Sequence, residues 1–298
     1  MRAIFIRLLA TSLASLVLVC QPDTSSKIDT TATRDTAVAS VLTPGSCRGV
    51  LAVQGQEIPF LFEVKTEAGK PVVYLVNKGL NGDQRLRCDK ISVAGDSTTI
   101  RMHKIDAALV VRANDTDKLK GVWVKYGIKS LLRVPLTAAA RAKEPGASME
   151  TAEELFNQDD GSAGKVLPFI HSDMIKGAKY RVSFQENKGK TYQAVCIIRY
   201  NTQDNGTLNN LTGTFLTKTG EHRYLAGNIV LRDKVQHLLL STFDGNHAFL
   251  FDAVAEKPQN LTSLKGDFYS SESGHQTWTA VLDPNAKLPQ RQISASGN

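Results

Sequence analysis

The chain has 298 residues, 42% of them hydrophobic, and carries a formal net charge of +7. This length can bury one large core or two cores of ordinary size, and the composition excludes a membrane protein with several spans. The lysines and arginines are scattered along the chain, so the positive charge predicts a solvated surface and no nucleic-acid partner.

The first 20 residues have the pattern of an export signal. Arg2 and Arg7 precede an apolar run at residues 8–19 that is too short for a working membrane span. Cys20 follows this run directly and resembles the lipobox cysteine of bacterial lipoproteins, which takes a diacylglycerol. The resemblance implies a protein of the bacterial cell envelope that is held at a membrane, such as the outer membrane, by the lipid on Cys20. Val19 is larger than the small residue that this pattern prefers, so cleavage elsewhere and release into the periplasm or medium is the alternative.

Residues 21–45 are rich in Thr and Ser and contain no aromatic residue, which predicts a disordered tether. From residue 46 to residue 140 the chain carries short runs of Val, Ile and aromatic residues separated by Gly, Asn, Asp or Pro, which predict strands. The runs lie too close together for crossover helices, so the strands are expected to be antiparallel. They are GVLAVQ, IPFLFEV, PVVYLV, STTIRM, ALVVRA and GVWVKY.

Residues 141–176 are expected to be a linker, in which SMETAEELFNQ predicts a short capped helix. A second β domain follows at residues 177–284, and residues 285–298 form a C-terminal tail. The strand-like runs of the second domain are KYRVSF, YQAVCIIRY, LTGTFL, HRYLAGNIV, HLLLSTF, HAFLFDA, KGDFYS and QTWTAVL.

The two β regions resemble each other. Residues 108–113 align with residues 248–253 at an offset of 140, and residues 119–121 align with 264–266 at an offset of 145. A tandem duplication explains both matches. We therefore expect an all-β protein of two related antiparallel barrels or sandwiches with lipocalin-like meanders. Each is expected to be filled by its own side chains, the second by Phe215, Tyr224, Phe243, Phe249, Phe251, Phe268, Tyr269 and Trp278.

The cysteines lack C-x-x-C spacing, which excludes a thioredoxin-type centre and a zinc knuckle. Cys47 and Cys88 both fall in strand-like runs of the first domain and could pair in an oxidising compartment. Cys196 has the surroundings of a small buried apolar residue.

Several motifs resemble the β-rich region that precedes the thioredoxin domain in envelope-anchored, TlpA-type thiol-disulfide reductases. They are RGVLAVQGQEIPFLFEV, LKGVWVKYG, GTFLTKTGEHRYLAGN, LLLSTFDGNHAFLFDA, LKGDFYSSESGHQTWTA and DPNAKLP. The resemblance covers roughly residues 46–289 and implies an accessory region that works with a thioredoxin-like protein. Because this chain ends at LPQRQISASGN without the C-x-x-C domain of its relatives, no redox role is carried over to its residues.

Polar side chains gather near the predicted turns of the second domain, and Arg223, Asp244, His247 and His275 are the candidates for a ligand or partner surface. Asp244 is also a turn former, because it precedes Gly245. The histidine spacings do not predict a metal site. No nucleophile and base can be assembled, so the sequence predicts no catalytic residue and no cofactor.

The function expected from these features is that of a non-catalytic binding or scaffold module of a bacterial cell envelope. The first alternative is an accessory partner of a separate thioredoxin-like disulfide reductase. A carrier of a small apolar ligand is a weaker alternative.

Overall fold

The computed structural model describes residues 41–102, 105–127, 131–140, 155–156, 176–186, 189–201, 210–218, 220–257 and 260–288. The predicted export signal, the predicted tether up to residue 40, the predicted linker helix apart from Leu155 and Phe156, and the predicted tail beyond residue 288 lie outside these ranges. Every regular element bounded within them is a β-strand. None of the described residues forms a helix long and apolar enough to cross a membrane.

The first domain is a nine-stranded antiparallel sheet with the order β4-β3-β2-β1-β9-β8-β7-β6-β5. Its first and last strands pair with each other, which rolls the meander into a nearly closed barrel. The sheet is open between β4 and β5, which do not pair with each other. Only Asp89 separates these two short strands, so they can be counted as one bent strand. The strands are β1 Gly45–Val53, β2 Gln56–Glu67, β3 Lys70–Asn77, β4 Gln84–Cys88, β5 Lys90–Ala94, β6 Ser97–Arg101, β7 Ala107–Asp115, β8 Lys118–Tyr126 and β9 Leu131–Ala140.

The second domain is a closed eight-stranded antiparallel barrel in which β10 pairs with β17. Two tandem β-barrel domains, as the sequence predicts, are therefore confirmed. The strands are β10 Ala178–Gln185, β11 Thr191–Asn201, β12 Asn210–Thr217, β13 Glu221–Arg232, β14 Val235–Phe243, β15 Ala248–Lys257, β16 Asn260–Ser270 and β17 Gly274–Leu282.

Alternating side chains explain why these segments form strands. In β10, Ala178, Tyr180, Val182 and Phe184 are buried, and the residues between them are less buried or exposed. A period of two places one set of side chains inside the barrel and the other outside.

The two barrels follow the same path when β4 and β5 are counted as one strand. β7 and β8 then occupy the places of β15 and β16. A Cβ atom added to Gly121 in β8 would overlap the carbonyl oxygen of Val110, and one added to Gly266 in β16 would overlap that of Asp252. Both barrels therefore need a glycine where neighbouring backbones approach closely.

These glycines also set the offset between the copies. They make Val110 equivalent to Asp252, an offset of 142 and not the 140 predicted from sequence. A slip of two residues keeps each side chain on the same face of the strand, so the sequence pattern alone does not register it.

Aromatic rings fill the second barrel. The ring centres of Phe215 and Phe251 are 4.1 Å apart, those of Phe251 and Phe268 4.5 Å, and those of Phe215 and Trp278 5.4 Å. These distances are those of packed aromatic pairs. The interior is therefore a core of side chains, as expected for a small barrel.

Tyr269 was predicted to belong to this second core, but it packs against the first core. Phe243 was predicted to belong to the second core as well, and that assignment is also wrong. Its ring centre lies 4.6 Å from that of Phe60 and 5.1 Å from that of Trp123, within the core of the first barrel. The reason is the strand period, since Leu238 and Leu240 face into the second barrel and Phe243 points the other way. The outer wall of the second barrel thus completes the first core.

Hydrogen bonds fix this junction between the barrels. The indole nitrogen of Trp123 donates to the carbonyl oxygen of Gly245 at 3.0 Å, and Ser241 Oγ donates to that of Pro59 at 2.7 Å. Both Trp123 and Ser241 are buried. Because buried polar atoms left unpaired are costly, these two bonds specify how the barrels dock.

The described part of the linker packs at the same junction. The backbone nitrogen of Phe156 donates to Asn228 Oδ1 at 2.8 Å, and Asn228 Nδ2 donates back to the Phe156 carbonyl at 3.0 Å. Arg48 of the first barrel donates to the carbonyl of Leu155 at 2.6 Å.

The last residues of the predicted tether belong to the folded body, because Leu42 is buried in the first core.

The predicted pairing of Cys47 with Cys88 is not present, because both are free thiols. Strands β2 and β3 lie between β1, which carries Cys47, and β4, which carries Cys88. Three strand spacings of about 4.8 Å place their Cα atoms roughly 14 Å apart across the sheet, well beyond the span of a disulfide.

The thiols are expected to react slowly in the folded protein. Burial, with a contribution from Asp117, raises the pKa of Cys47 to about 11. Burial and Asp89 raise the pKa of Cys88 to about 11, and burial raises that of Cys196 well above its ordinary value. At pH 7.5 a thiol with such a pKa is ionised in only about three molecules in ten thousand.

Maleimide labelling of a Cys20→Ser variant measures this. We expect slow modification of the native protein and rapid modification of all three remaining thiols after urea unfolding. Rapid native labelling of Cys47 or Cys88 would contradict the buried positions described above.

Candidate functional site

The structure does not bring the four predicted surface residues together. Asp244 and His247 share the turn between β14 and β15, and His275 lies on β17 beside Asp267. Arg223 belongs to β13, and its side chain is outside the described residues.

Asp244 holds the β14–β15 turn in shape. Its Oδ1 accepts hydrogen bonds from the backbone nitrogens of Asn246 at 2.8 Å and His247 at 2.6 Å, and its Oδ2 lies 3.2 Å from His247 Nδ1. Gly245, between them, has a positive φ of 87°. The turn docks on the first barrel, because Lys125 Nζ donates to the Asn246 carbonyl at 3.0 Å. This part of the predicted surface therefore serves the junction.

The pKa of Asp244 lies below its ordinary value. Burial pushes it upward, but the hydrogen bonds from His247 and Asn246 outweigh that effect. A carboxyl whose pKa is lower in the folded state stabilises the fold above its unfolded pKa, and this stabilisation is lost as the pH falls through the folded value.

Replacing Asp244 with Asn is expected to lower the free energy of unfolding by about 1–2 kcal/mol at pH 7, since the turn loses charge-assisted hydrogen bonds. Below about pH 4 the wild type should lose this advantage and approach the variant. Urea unfolding at a series of pH values checks this, with the exposed carboxylate of Asp96, changed to Asn, as the control. An equal difference between wild type and Asp244→Asn at every pH would contradict it.

A second group of polar side chains lies on the outside of β13–β17, and we call it the outer-face cluster. Asp252 in β15 stands directly opposite Asp267 in β16. His237 Nδ1 lies 2.7 Å from Asp252 Oδ1, and His275 Nε2 lies 2.8 Å from Asp267 Oδ1. The cluster consists of Arg232, His237, Asp252, Lys265, Asp267 and His275.

The outer-face cluster borders an open depression of about 320 Å³. Exposed Thr277 and Thr279 complete its polar rim. On one side, Arg232 Nη1 is 3.8 Å from Asp252 Oδ2, which is a loose ion pair. The site therefore offers carboxylate, imidazole, ammonium and hydroxyl groups on one solvated face.

The first barrel shows that the fold does not require these charges. Asp252 and Asp267 occupy the places of Val110 and Val122, which also stand directly opposite each other. Two valines suit a pleated surface, whereas opposed like charges destabilise a strand pair. The second barrel thus keeps two opposed carboxylates on this face, and His237, His275 and Arg232 surround them.

Sequence reasoning found only His275 of this cluster. Asp252, Asp267 and His237 lie at outward positions of strands, where a polar residue is unremarkable by itself. The sequence alone does not give the strand register that places these residues side by side. Comparison with Val110 and Val122, the equivalent residues of the first barrel, could have indicated that the aspartates are unusual at these positions.

The arrangement favours binding by charge and hydrogen bonding. Among the described residues, no three His, Cys, Asp or Glu side chains are grouped so that they could hold a metal ion. Elsewhere, a pocket of about 280 Å³ beside β4 is lined largely by apolar side chains, with Asp244 at its edge.

Neither a protein-family model nor a curated protein sequence matches the chain. Among solved structures, a redesigned β-barrel is 14% identical, with a TM-score of 0.27, over 37% of this chain and 93% of its own. A DUF3598-family protein of unknown function from Nostoc punctiforme is 12% identical, with a TM-score of 0.24, over 80% and 94%. The Myxococcus xanthus hemagglutinin, solved with a mannopentaose, is 10% identical, with a TM-score of 0.17, over 80% and 100%. At such TM-scores these similarities carry no argument about this chain.

Proposed function

We propose that the protein is a non-catalytic binding module of a bacterial cell envelope, anchored through Cys20, and that it binds a partner through the outer-face cluster. The observation that carries this proposal is the exchange of an opposed valine pair for an opposed aspartate pair between two barrels of the same topology. Departures from a locally favoured residue pattern commonly mark functional sites.

The packing of the barrels supports an outside binding face. The second barrel is filled by its own aromatic rings, and its β14–β15 turn is engaged with the first barrel. The three described thiols are buried and have raised pKa values, so redox chemistry at Cys47, Cys88 and Cys196 is not favoured. The family resemblance implies that the partner is a thioredoxin-like protein, and this identity of the partner stays a prediction.

Photo-crosslinking tests the binding face. A benzoylphenylalanine at Thr279, beside the cluster, should form a crosslink in intact cells of the source bacterium. The matched control position is Leu216, which is exposed on β12 of the same barrel. Absence of any adduct from Thr279, or equal adducts from both positions, would overturn the proposal. A thioredoxin-like adduct identified by mass spectrometry would favour the accessory role.

The anchor is tested separately. The wild type is expected to partition into the detergent phase of a Triton X-114 extraction, and Cys20→Ser into the aqueous phase, because acyl chains supply the membrane affinity. Equal partitioning of the two proteins would refute lipidation at Cys20.

A further inference from the structure

We infer that Asn81 is a site of spontaneous deamidation, a covalent modification that adds a negative charge to the loop between β3 and β4. This loop contacts the second barrel, because Arg199 Nη1 of β11 donates to the Leu80 carbonyl at 2.8 Å. The inference does not depend on the proposed binding function or on the anchor at Cys20.

The reaction joins two neighbouring residues and consumes only water. The backbone nitrogen of Gly82 attacks the side-chain carbonyl carbon of Asn81 and forms a C–N bond. The side-chain amide nitrogen of Asn81 takes the proton from the backbone nitrogen and leaves as ammonia. Water then opens the cyclic imide and leaves aspartate or isoaspartate at position 81. Glycine favours ring closure, because it has no Cβ atom beside the attacking nitrogen.

The structure leaves both reacting groups accessible. Asn81 and Gly82 are exposed. Gly82 has a φ of 119°, and a Cβ atom added to it would meet no atom within 4 Å. Within the described part of the chain, no hydrogen bond engages the Asn81 side chain or the Gly82 nitrogen. The local backbone rotation that ring closure needs is therefore unopposed at this turn.

The β14–β15 turn contains a related pair that the fold protects. An aspartate before a glycine forms the same imide with loss of water, and Asp244 precedes Gly245. Asp244 Oδ1 accepts hydrogen bonds from the backbone nitrogens of Asn246 and His247. Gly245 is buried, and its carbonyl accepts from Trp123. These contacts oppose the backbone rotation, so this pair is expected to react only when the turn opens.

The product changes a loop that takes part in docking. An isoaspartate lengthens the backbone by one carbon atom directly after Leu80, whose carbonyl Arg199 contacts. The new carboxylate also lies close in sequence to Asp83, which pairs with Lys78 Nζ at 2.7 Å. The modification is therefore expected to weaken the contact between this loop and the second barrel.

The test incubates the purified full chain at mildly alkaline pH and follows each site by peptide mass spectrometry. The same chain unfolded in urea gives the reference rate for each residue. We expect Asn81 to deamidate in the folded protein at a rate within about fivefold of its unfolded rate, and Asp244 to isomerise at least about tenfold more slowly when folded. Asn205 and Gly206, the other Asn–Gly pair, lie outside the described residues and are read from a separate peptide.

Gly82→Ala is the matched variant, because its methyl group crowds the attacking nitrogen. It is expected to slow the deamidation of unfolded Asn81 by at least about fivefold. A folded rate at Asn81 further below the unfolded rate than expected would overturn the inference, because the fold would then protect this turn. Undiminished deamidation in Gly82→Ala would overturn it as well, since the Gly82 nitrogen would not be the attacking group. Folded Asp244 as reactive as unfolded Asp244 would refute the claim that hydrogen bonds decide which pair reacts.

Discussion

Phe243→Ala is expected to lower the free energy of unfolding by about 3–5 kcal/mol, the usual effect of removing a buried aromatic ring. The ring belongs by chain position to the second barrel, but it packs against Phe60 and Trp123 of the first. Its loss should therefore destabilise the first barrel most. The chain has two tryptophans, Trp123 in the first barrel and Trp278 in the second, which allows the barrels to be followed separately.

Urea unfolding monitored by fluorescence measures this effect. A Trp278→Phe background reports on the first barrel through Trp123, and a Trp123→Phe background reports on the second. The control is Leu216→Ala, an exposed residue of the second barrel, for which a change below about 0.5 kcal/mol is expected. A shift of similar size to the control, or one confined to the second barrel, would contradict the shared junction.

Gly121→Ala and Gly266→Ala are each expected to destabilise the protein by about 3 kcal/mol or more, or to prevent folding. In both cases the new methyl group would meet a carbonyl oxygen of the neighbouring strand, and backbone cannot move aside as a flexible side chain can. Equal sensitivity at the two positions is expected because they are equivalent in the two barrels.

Urea midpoints measure this if the variants fold, and the yield of soluble protein measures it if they do not. Gly220→Ala is the matched control, since an added Cβ meets no atom within 4 Å there. If either strand glycine tolerated alanine as well as Gly220 does, the close backbone approach would be wrong at that position.

The strands and the presence of two tandem β domains could be predicted from the sequence because both depend on local patterns. Alternating apolar residues identify strands such as β1 and β10. The similar runs around Gly121 and Gly266 align because that glycine is required in each barrel. Antiparallel pairing followed from the short connections between runs.

The junction and the outer-face cluster could not be predicted because they depend on register and docking. Phe243 is a large apolar residue and is expected in a core, but the sequence around it does not indicate which of the two cores it enters. Asp252 and Asp267 are 15 residues apart, and only the pairing of β15 with β16 makes them neighbours. The same limit applies to Cys47 and Cys88, whose strands were identified but whose separation by β2 and β3 was not.

Crosslinking from Thr279 in the double variant Asp252→Val, Asp267→Val tests the central claim most directly, because it gives the second barrel the residues of the first. The variant should fold, since the equivalent positions of the first barrel hold two opposed β-branched residues. We predict that the Thr279 adduct formed by the wild type is lost in this folded variant. An adduct of undiminished yield would contradict the account that the aspartate pair serves binding.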